Sequence, residues 1–362
     1  MKWSVCLLVV CLSATFLPAV HTLSRGEPCH TPTGTPGTCE LVRECEYARK
    51  LQSLPDFSSY DIEYLRSLKC GQLKLGLRKP TKPLVCCPKF GNSVSCGAQT
   101  MGGRITYGEE TELGEYPWAG LLYFDAGRHK LVPKCGGALV TERYVITAAH
   151  CTADPIWKLE FVRFNEFNKS STDNCTIRDD REICRMDFGV ETITPHPEYG
   201  RSESSAPNDI CILRLAADVS FDADLRPICL PLEPDVRRLP IVGETFTVTG
   251  WGETEHRRRA SDIQLHVDIP GLENEACNSV YAVANVTLTH KQLCVGGLNR
   301  MDSCRGDSGG PLMRSVGGAW YLVGVVSFGA TKCGTRHLPG VYTNVVQYLD
   351  WLEMVMFVQH YL

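Results

Sequence analysis

Gly306-Asp307-Ser308-Gly309-Gly310-Pro311 is the stretch on which the reading of this chain turns. A serine with glycines on both sides sits on backbone that a substrate carbonyl can approach closely. The amide hydrogens of Gly306 and Ser308 can then converge on a single oxygen. Two earlier segments belong with it: Thr147-Ala148-Ala149-His150-Cys151 and Asn208-Asp209-Ile210. Alone, a histidine before a cysteine is more often structural, and an aspartate ahead of an apolar run is more often a cap or turn residue. In the order His, Asp, Ser they supply what acyl transfer on an amide needs: a base (His150), a group that orients it (Asp209), a nucleophile (Ser308) and oxyanion donors.

Around these segments, short alternating apolar runs recur between Gly, Pro and Asn punctuation, as in 137–148, 245–249, 321–327 and 341–345. That spacing describes an all-β barrel or sandwich. The chain closes differently, because Val345, Leu349, Leu352, Val355 and Met356 stand at helical spacing and predict a terminal amphipathic helix over 345–358. No internal repeat is visible.

Upstream, Cys29, Cys39, Cys45, Cys70, Cys86 and Cys87 crowd into 59 residues and describe a disulfide-stapled module. Six cysteines permit about 15 connectivities, of which only those joining the adjacent Cys86 and Cys87 are disfavoured. Zinc is a poor reading, for want of C-x-x-C pairs and histidines at metal spacing. Residues 88–104, rich in Gly, Ser and Asn, form an exposed connector open to proteolysis.

At the N-terminus, Lys2 and the apolar run from Val5 to Leu17 read as a secretory leader over 1–22. Neither this run nor 345–362, broken by Asp350 and Glu353, supplies the ~20 apolar residues of a membrane span, so no membrane association is expected. Of 19 cysteines, Cys6 and Cys11 leave with the leader and an odd number remains where disulfides persist. Cys211, within Ile210-Cys211-Ile212-Leu213, is assigned as the unpaired one, a small buried hydrophobe rather than a nucleophile. A length of 362 residues suits two domains, and a net charge of -4 gives no reason to expect a nucleic-acid partner.

From residue 105 to about 358 the chain resembles the trypsin and chymotrypsin family. The resemblance implies two six-stranded antiparallel β-barrels with a C-terminal helix, with His150 as general base, Asp209 holding its tautomer, Ser308 attacking, and the amides of Gly306 and Ser308 forming the oxyanion hole. It makes Asp302 the floor of a specificity pocket that selects Arg or Lys, with Gly329 and Gly340 as its open walls. Ser327 and Phe328 match the strand that pairs with substrate backbone, although Phe328 stands where the family more often has Trp. Arg104-Ile105 matches the cut of the family's precursors, after which the Ile105 ammonium pairs with Asp307. Here Thr106 and Tyr107 replace the commoner Val and Gly. The implied disulfides are Cys135–Cys151, Cys277–Cys294, Cys304–Cys333 and Cys96–Cys229, with Cys175–Cys184 closing an extra surface loop.

The six-cysteine unit is similar to the clip domain of arthropod clip-domain serine proteases, which implies Cys29–Cys86, Cys39–Cys70 and Cys45–Cys87. The resulting division is a leader (1–22), a clip domain (29–87), a linker with the activation segment (88–104) and a protease domain (105–362). By the same resemblance, the protein is a precursor secreted into haemolymph. Its expected partners are an upstream activating protease, a protein substrate such as prophenoloxidase or another cascade precursor, and a serpin-type inhibitor. The alternative is a non-cleaving adaptor of the same cascade, which the intact Ser308 disfavours. No cofactor is required on this reading. Calcium is possible at the 166–174 loop, where Glu166 offers a carboxylate. Asn168, Asn174 and Asn285 begin glycosylation sequons, and Arg257, Arg258 and Arg259 form a charge run suited to self-cleavage or to an exosite.

Overall fold

The computed structural model describes residues 23–31, 36–52, 59–73, 81–88, 91–93, 95–99, 109–127, 130–178, 180–200, 207–253, 259–297, 306–329 and 338–358. The leader, Arg104, Ile105, Arg257, Arg258, Asp302, Cys304 and Cys333 lie outside them. The chain divides into two units, 1–90 with 360–362, and 91–359.

In the first unit β1 (Pro28–His30), β2 (Pro36–Leu41), β3 (Lys69–Leu73) and β4 (Lys82–Pro88) form an antiparallel sheet in the order β1-β2-β4-β3, with α1 (Glu46–Gln52) and α2 (Ser59–Ser67) between β2 and β3. Its core is Cys29, Cys39, Leu41, Leu84 and Cys86, so the sulfurs themselves make up much of what is buried. So small a core gives little stability alone, and the disulfides Cys29–Cys86, Cys39–Cys70 and Cys45–Cys87 supply the rest at about 2–4 kcal/mol each.

The second unit opens with β5 (Glu109–Glu110), then β6 (Ala119–Asp125), β7 (Leu131–Leu139), β8 (Tyr144–Thr147) and β9 (Lys158–Phe164). A hairpin of β10 (Cys175–Arg178) and β11 (Arg181–Cys184), closed by Cys175–Cys184, precedes β12 (Met186–Pro195) and β13 (Cys211–Leu215). Strands β12-β13-β8-β7-β6-β9 close into a barrel. After a short helix α3 (Pro234–Arg237) come β14 (Thr245–Gly250), β15 (Leu265–Leu272), α4 (Asn274–Tyr281), β16 (Gln292–Val295), β17 (Pro311–Val316), β18 (Ala319–Phe328) and β19 (Gly340–Asn344). The order β14-β17-β18-β19-β16-β15 is closed by pairing of β14 with β15, and β5 adds to the outside of β15. Alternation along each strand left barrel and sandwich open. Closure of both sheets decides for two six-stranded barrels, the second filled by Phe246, Val248, Ile269, Leu293, Val295, Leu312, Val323, Val326 and Tyr342.

The terminal segment begins as a 3-10 turn, Val345–Tyr348, and continues as α5 (Leu349–Val358). Leu352 and Met356 are buried, and Tyr144 of the first barrel donates to the Met356 carbonyl at 3.0 Å. The helix thus fastens the end of the second barrel to the first. Cys135–Cys151, Cys277–Cys294 and Cys96–Cys229 are formed, and Cys211 is free and buried among the described residues. Burial pushes the Cys211 thiol up to about 12, so almost no thiolate exists at neutral pH. Iodoacetamide should therefore leave Cys211 untouched in the native protein and label it after denaturation, as read by mass of the Cys211 peptide.

The surroundings of the Glu166 carboxylate bear on the expectation of calcium there. Its side chain is 1% exposed, with Arg185 Nη2 at 3.0 Å from Oε1 and Arg163 Nη1 at 3.5 Å from Oε2. The Tyr123 hydroxyl lies 3.4 Å from Oε2. Asn168 Oδ1 is already committed to the amide and hydroxyl of Ser170. A dication needs six to eight oxygens and no cations among them, so these residues do not fit calcium. The guanidinium of Arg185, which also donates to the carbonyls of Ser171 and Asn168, supplies the positive charge and ties the loop down. Chelation with EDTA should leave the melting temperature unchanged. Glu166→Gln, which takes the carboxylate from Arg185 while Arg163 keeps its pair with Asp187, should cost about 1–3 kcal/mol in denaturant unfolding.

Candidate active site

His150 lies in the 3-10 turn Ala149–Cys151 directly after β8, and Cys135–Cys151 fastens that turn to β7. Asp209 directly precedes β13, which pairs with β8 through Cys211 opposite Thr147. The ladder therefore brings together two residues far apart in sequence. The His150 amide donates to Asp209 Oδ1 at 2.9 Å, and His150 Nδ1 lies 2.8 Å from Oδ2. The carboxylate is 2% exposed and the imidazole 32%, so one is shielded from water while the other faces the cleft.

A buried carboxylate is tolerated only if its oxygens are satisfied. Ser327 Oγ donates to Asp209 Oδ2 at 2.5 Å, and Thr343 Oγ1 donates to the Asp209 carbonyl at 2.7 Å. Ser327, on β18 of the second barrel, thus meets the charge, and Thr343, on β19, meets the backbone, so Asp209 is held from both sides of the cleft. An ionised carboxylate accepts only, which puts the imidazole proton on Nδ1 and leaves Nε2 as the acceptor. Sequence reading gave Ser327 only to the substrate strand, and its bond to Asp209 was missed. The signal was present: a serine closing the apolar run Leu322–Val326 is a buried hydroxyl in need of a partner.

Ser308 stands in the turn ahead of β17. Its carbonyl accepts from the Gly136 amide of β7 at 2.8 Å, and the Gly309 amide donates to the Val326 carbonyl at 2.9 Å. These bonds pin the turn to β7 on one flank and β18 on the other. Gly309 has φ +76°, and a Cβ there would stand 2.2 Å from Thr147 Oγ1 and 2.7 Å from the Gly136 carbonyl oxygen. Only glycine lets the turn press onto the strand end that carries His150. Gly306 precedes it with φ +100°.

Asp307 points away from Ser308 into a seat made by Gly250-Trp251-Gly252. The Gly252 amide donates to Asp307 Oδ1 at 2.7 Å, and a Cβ on Gly252 would come within 2.3 Å of Oδ2. This seat is a second feature that sequence reading did not find, because nothing local to Asp307 points 55 residues back along the chain. Gly329 and Gly340 face each other, the Cβ position of Gly329 lying 3.6 Å from the Gly340 Cα. Beside them Phe328 packs edge-to-face on Tyr281 with centroids 5.7 Å apart. Among the described residues, the groupings with metal-like spacing, Cys135-His150-Cys151 and Cys175-Glu182-Cys184, spend their sulfurs in disulfides.

The sequence profile of the Trypsin family matches residues 105–352, and that of the Regulatory CLIP domain of proteinases matches 29–87. The chain is 65% identical to the CLIP domain-containing serine protease B15 of Anopheles gambiae, over 100% of both proteins. It is 36% identical to Phenoloxidase-activating factor 3 of Holotrichia diomphalia, over 92% of this chain and 95% of that one. The crystal structure of the Drosophila Grass clip serine protease of the Toll pathway superposes with a TM-score of 0.62 at 29% identity, over 92% of this chain and 98% of that one. By its two matched domains and by its relatives, the chain belongs to the clip-domain serine proteases, a trypsin-type domain behind a regulatory CLIP domain.

Proposed function

We propose that the protein is a secreted serine endopeptidase made as an inactive precursor, which after a cut at Arg104 hydrolyses protein substrates following Arg or Lys. The observation that carries this reading is the buried Asp209 carboxylate, 2.8 Å from His150 Nδ1 and held in place by the Ser327 hydroxyl of the other barrel. In the reaction, the Ser308 hydroxyl gives its proton to His150 Nε2 as its oxygen attacks the scissile carbonyl. The amides of Gly306 and Ser308 take the oxyanion, and His150 returns the proton to the departing amine. Water then repeats the sequence on the acyl-enzyme. Asp209 stays ionised and keeps the imidazolium favourable. Asp302 is assigned as the pocket floor, and the paired glycines at 329 and 340 leave room for a long cationic side chain.

Activation is proposed to run through Asp307. Glu110 pairs with Leu265 and Leu265 with Gly250, so β5 lies two ladder steps, about 10 Å, from the strand end that seats the Asp307 carboxylate. Ile105 is four residues ahead of Glu109, a span of up to about 14 Å. A new ammonium at Ile105 is thus on a tether long enough to reach that carboxylate, and a buried ion pair forms only when both partners exist. The CLIP domain, and relatives whose names refer to phenoloxidase activation and the Toll pathway, support a place in an extracellular innate-immune cascade. The partners are then an upstream protease, a precursor protein as substrate and a serpin-type inhibitor.

The central test cleaves the purified precursor after Arg104 and compares peptides ending in Arg and in Phe, with Ser308→Ala as control. The cut protein should prefer Arg by at least about 10³-fold, and both the uncut protein and the control should be silent. Equal turnover of the two peptides, or turnover by Ser308→Ala, ends this reading. Gly252→Ala tests the switch separately. Its methyl displaces Asp307, so kcat of the cut enzyme should fall about 10²-fold while thermal unfolding by circular dichroism still shows one cooperative transition.

A further inference from the structure

Asn208, the residue before Asp209, is 6% exposed yet adopts φ +61°, a left-handed conformation that L-residues avoid. Asparagine tolerates it better than most, but something must hold it there. Its Oδ1 accepts from Lys291 Nζ at 3.0 Å and from the Tyr348 hydroxyl at 3.2 Å. Lys291 directly precedes β16 of the second barrel, and its carbonyl accepts from the Asn344 amide at 2.9 Å, where β19 ends. Tyr348 closes the turn ahead of α5. Two separate elements therefore converge on one buried amide oxygen next to the residue that orients His150.

The bond from Lys291 is the charge-assisted one. The ammonium is about one-third exposed, 4.0 Å from the Glu198 carboxylate and 5.7 Å over the Tyr348 ring. Tyr348 stays a neutral donor, since burial raises its hydroxyl well above the usual range. His196, edge-on to Tyr348 at 5.4 Å, is held below its ordinary value by burial and by the Lys291 charge, so it stays neutral. None of these groups touches the reacting atoms.

We propose that Lys291 is a positioning residue for the reaction. Through Asn208 it fixes the backbone from which Asp209 enters the cleft, and so sets the Asp209 to His150 bond from the second barrel. This rests on the protease reading above. The left-handed turn sends the chain from Asn208 into Asp209 and back, with the Ile210 amide donating to the Asn208 carbonyl at 2.8 Å. If Oδ1 loses its ammonium, the turn is free to relax, and a small rotation about the Asn208–Asp209 link swings the carboxylate away from Nδ1.

The test uses the full chain cut after Arg104, with Lys291→Met and Lys291→Arg, and rates expressed per serine titrated by a phosphonate that reacts with Ser308. Two readouts are taken: kcat and KM on an Arg-ended peptide, and the low-field proton resonance of the His150 Nδ1 hydrogen bond. Lys291→Met should lower kcat about tenfold with KM within about twofold, and should move or broaden the resonance. Lys291→Arg should restore most of both. A resonance unmoved in Lys291→Met overturns the proposal whether or not the enzyme turns over. A kcat within about twofold of the parent, or a rise in KM alone, overturns it too. A parent that is inert after cleavage, yet shows the resonance and its shift, counts against the protease reading and leaves the positioning role standing.

Discussion

One buried negative charge organises this molecule. The Asp209 carboxylate is 2% exposed, and a carboxylate cannot be taken out of water unless its lone pairs are met by donors in fixed places. The donors come from the turn after β8 and from β18, while Thr343 of β19 holds the Asp209 backbone carbonyl. No single barrel supplies them all, so satisfying the charge requires the two barrels to be docked in register. The same bonds that remove the cost of burial also aim the imidazole. Here the scaffold's stability and the site's geometry are one constraint.

Asp307 repeats the arrangement with one difference. Its seat, with the Gly252 amide on Oδ1, is built by removing side chains rather than by adding donors: glycine leaves room where any Cβ would strike the carboxylate. The proposed activation brings the Ile105 ammonium to this seat, whereas Asp209 takes its donors from the folded barrels. On that proposal one carboxylate belongs to the frame and the other gains a partner on cleavage, the property a switch needs.

What the sequence showed, and what it did not, follows from how far each interaction reaches. Gly306 to Pro311 was legible because its chemistry is local: glycines beside a serine mean close approach whatever the fold. His150 and Asp209 were legible only together, since either alone reads as an ordinary turn residue. The Ser327 and Thr343 bonds to Asp209 cross 118 and 134 residues, and no local pattern marks them beyond a hydroxyl in an apolar run. The surroundings of Glu166 were hidden for the same reason. An acidic loop looks like a cation site until Arg163 and Arg185, three and nineteen residues away, are seen to fold back onto it. Strand alternation gave all-β structure without deciding between barrel and sandwich, because closure depends on β14 meeting β15, a matter of register and not of period. The terminal helix was read well in place, but its first turn tightened into a 3-10 turn where Tyr348 turns inward to Asn208.

On the proposed activation, the start of the second unit explains how a cut at Arg104 changes activity without releasing a part. Asn92 donates to and accepts from the backbone of Leu230, at 2.8 and 2.7 Å. Gly97 exchanges bonds with Trp320 and Pro227, and Cys96 is bonded to Cys229. Gln99 is held by the Trp320 indole at 2.9 Å and lies 3.3 Å from Glu115. Glu109 is next fixed, by pairing with His266 on β15. Only residues 100–108 lie between these two anchors, and Arg104 is their midpoint. Hydrolysis there leaves the upstream piece covalently tied through Cys96–Cys229, so nothing dissociates. On the proposed activation its effect falls on the four residues ahead of Glu109, whose new end is the one assigned to Asp307. On that proposal the new end is tied at Glu109 only four residues away, so seating it loses little conformational entropy, and one ion pair can decide whether the oxyanion loop is ordered.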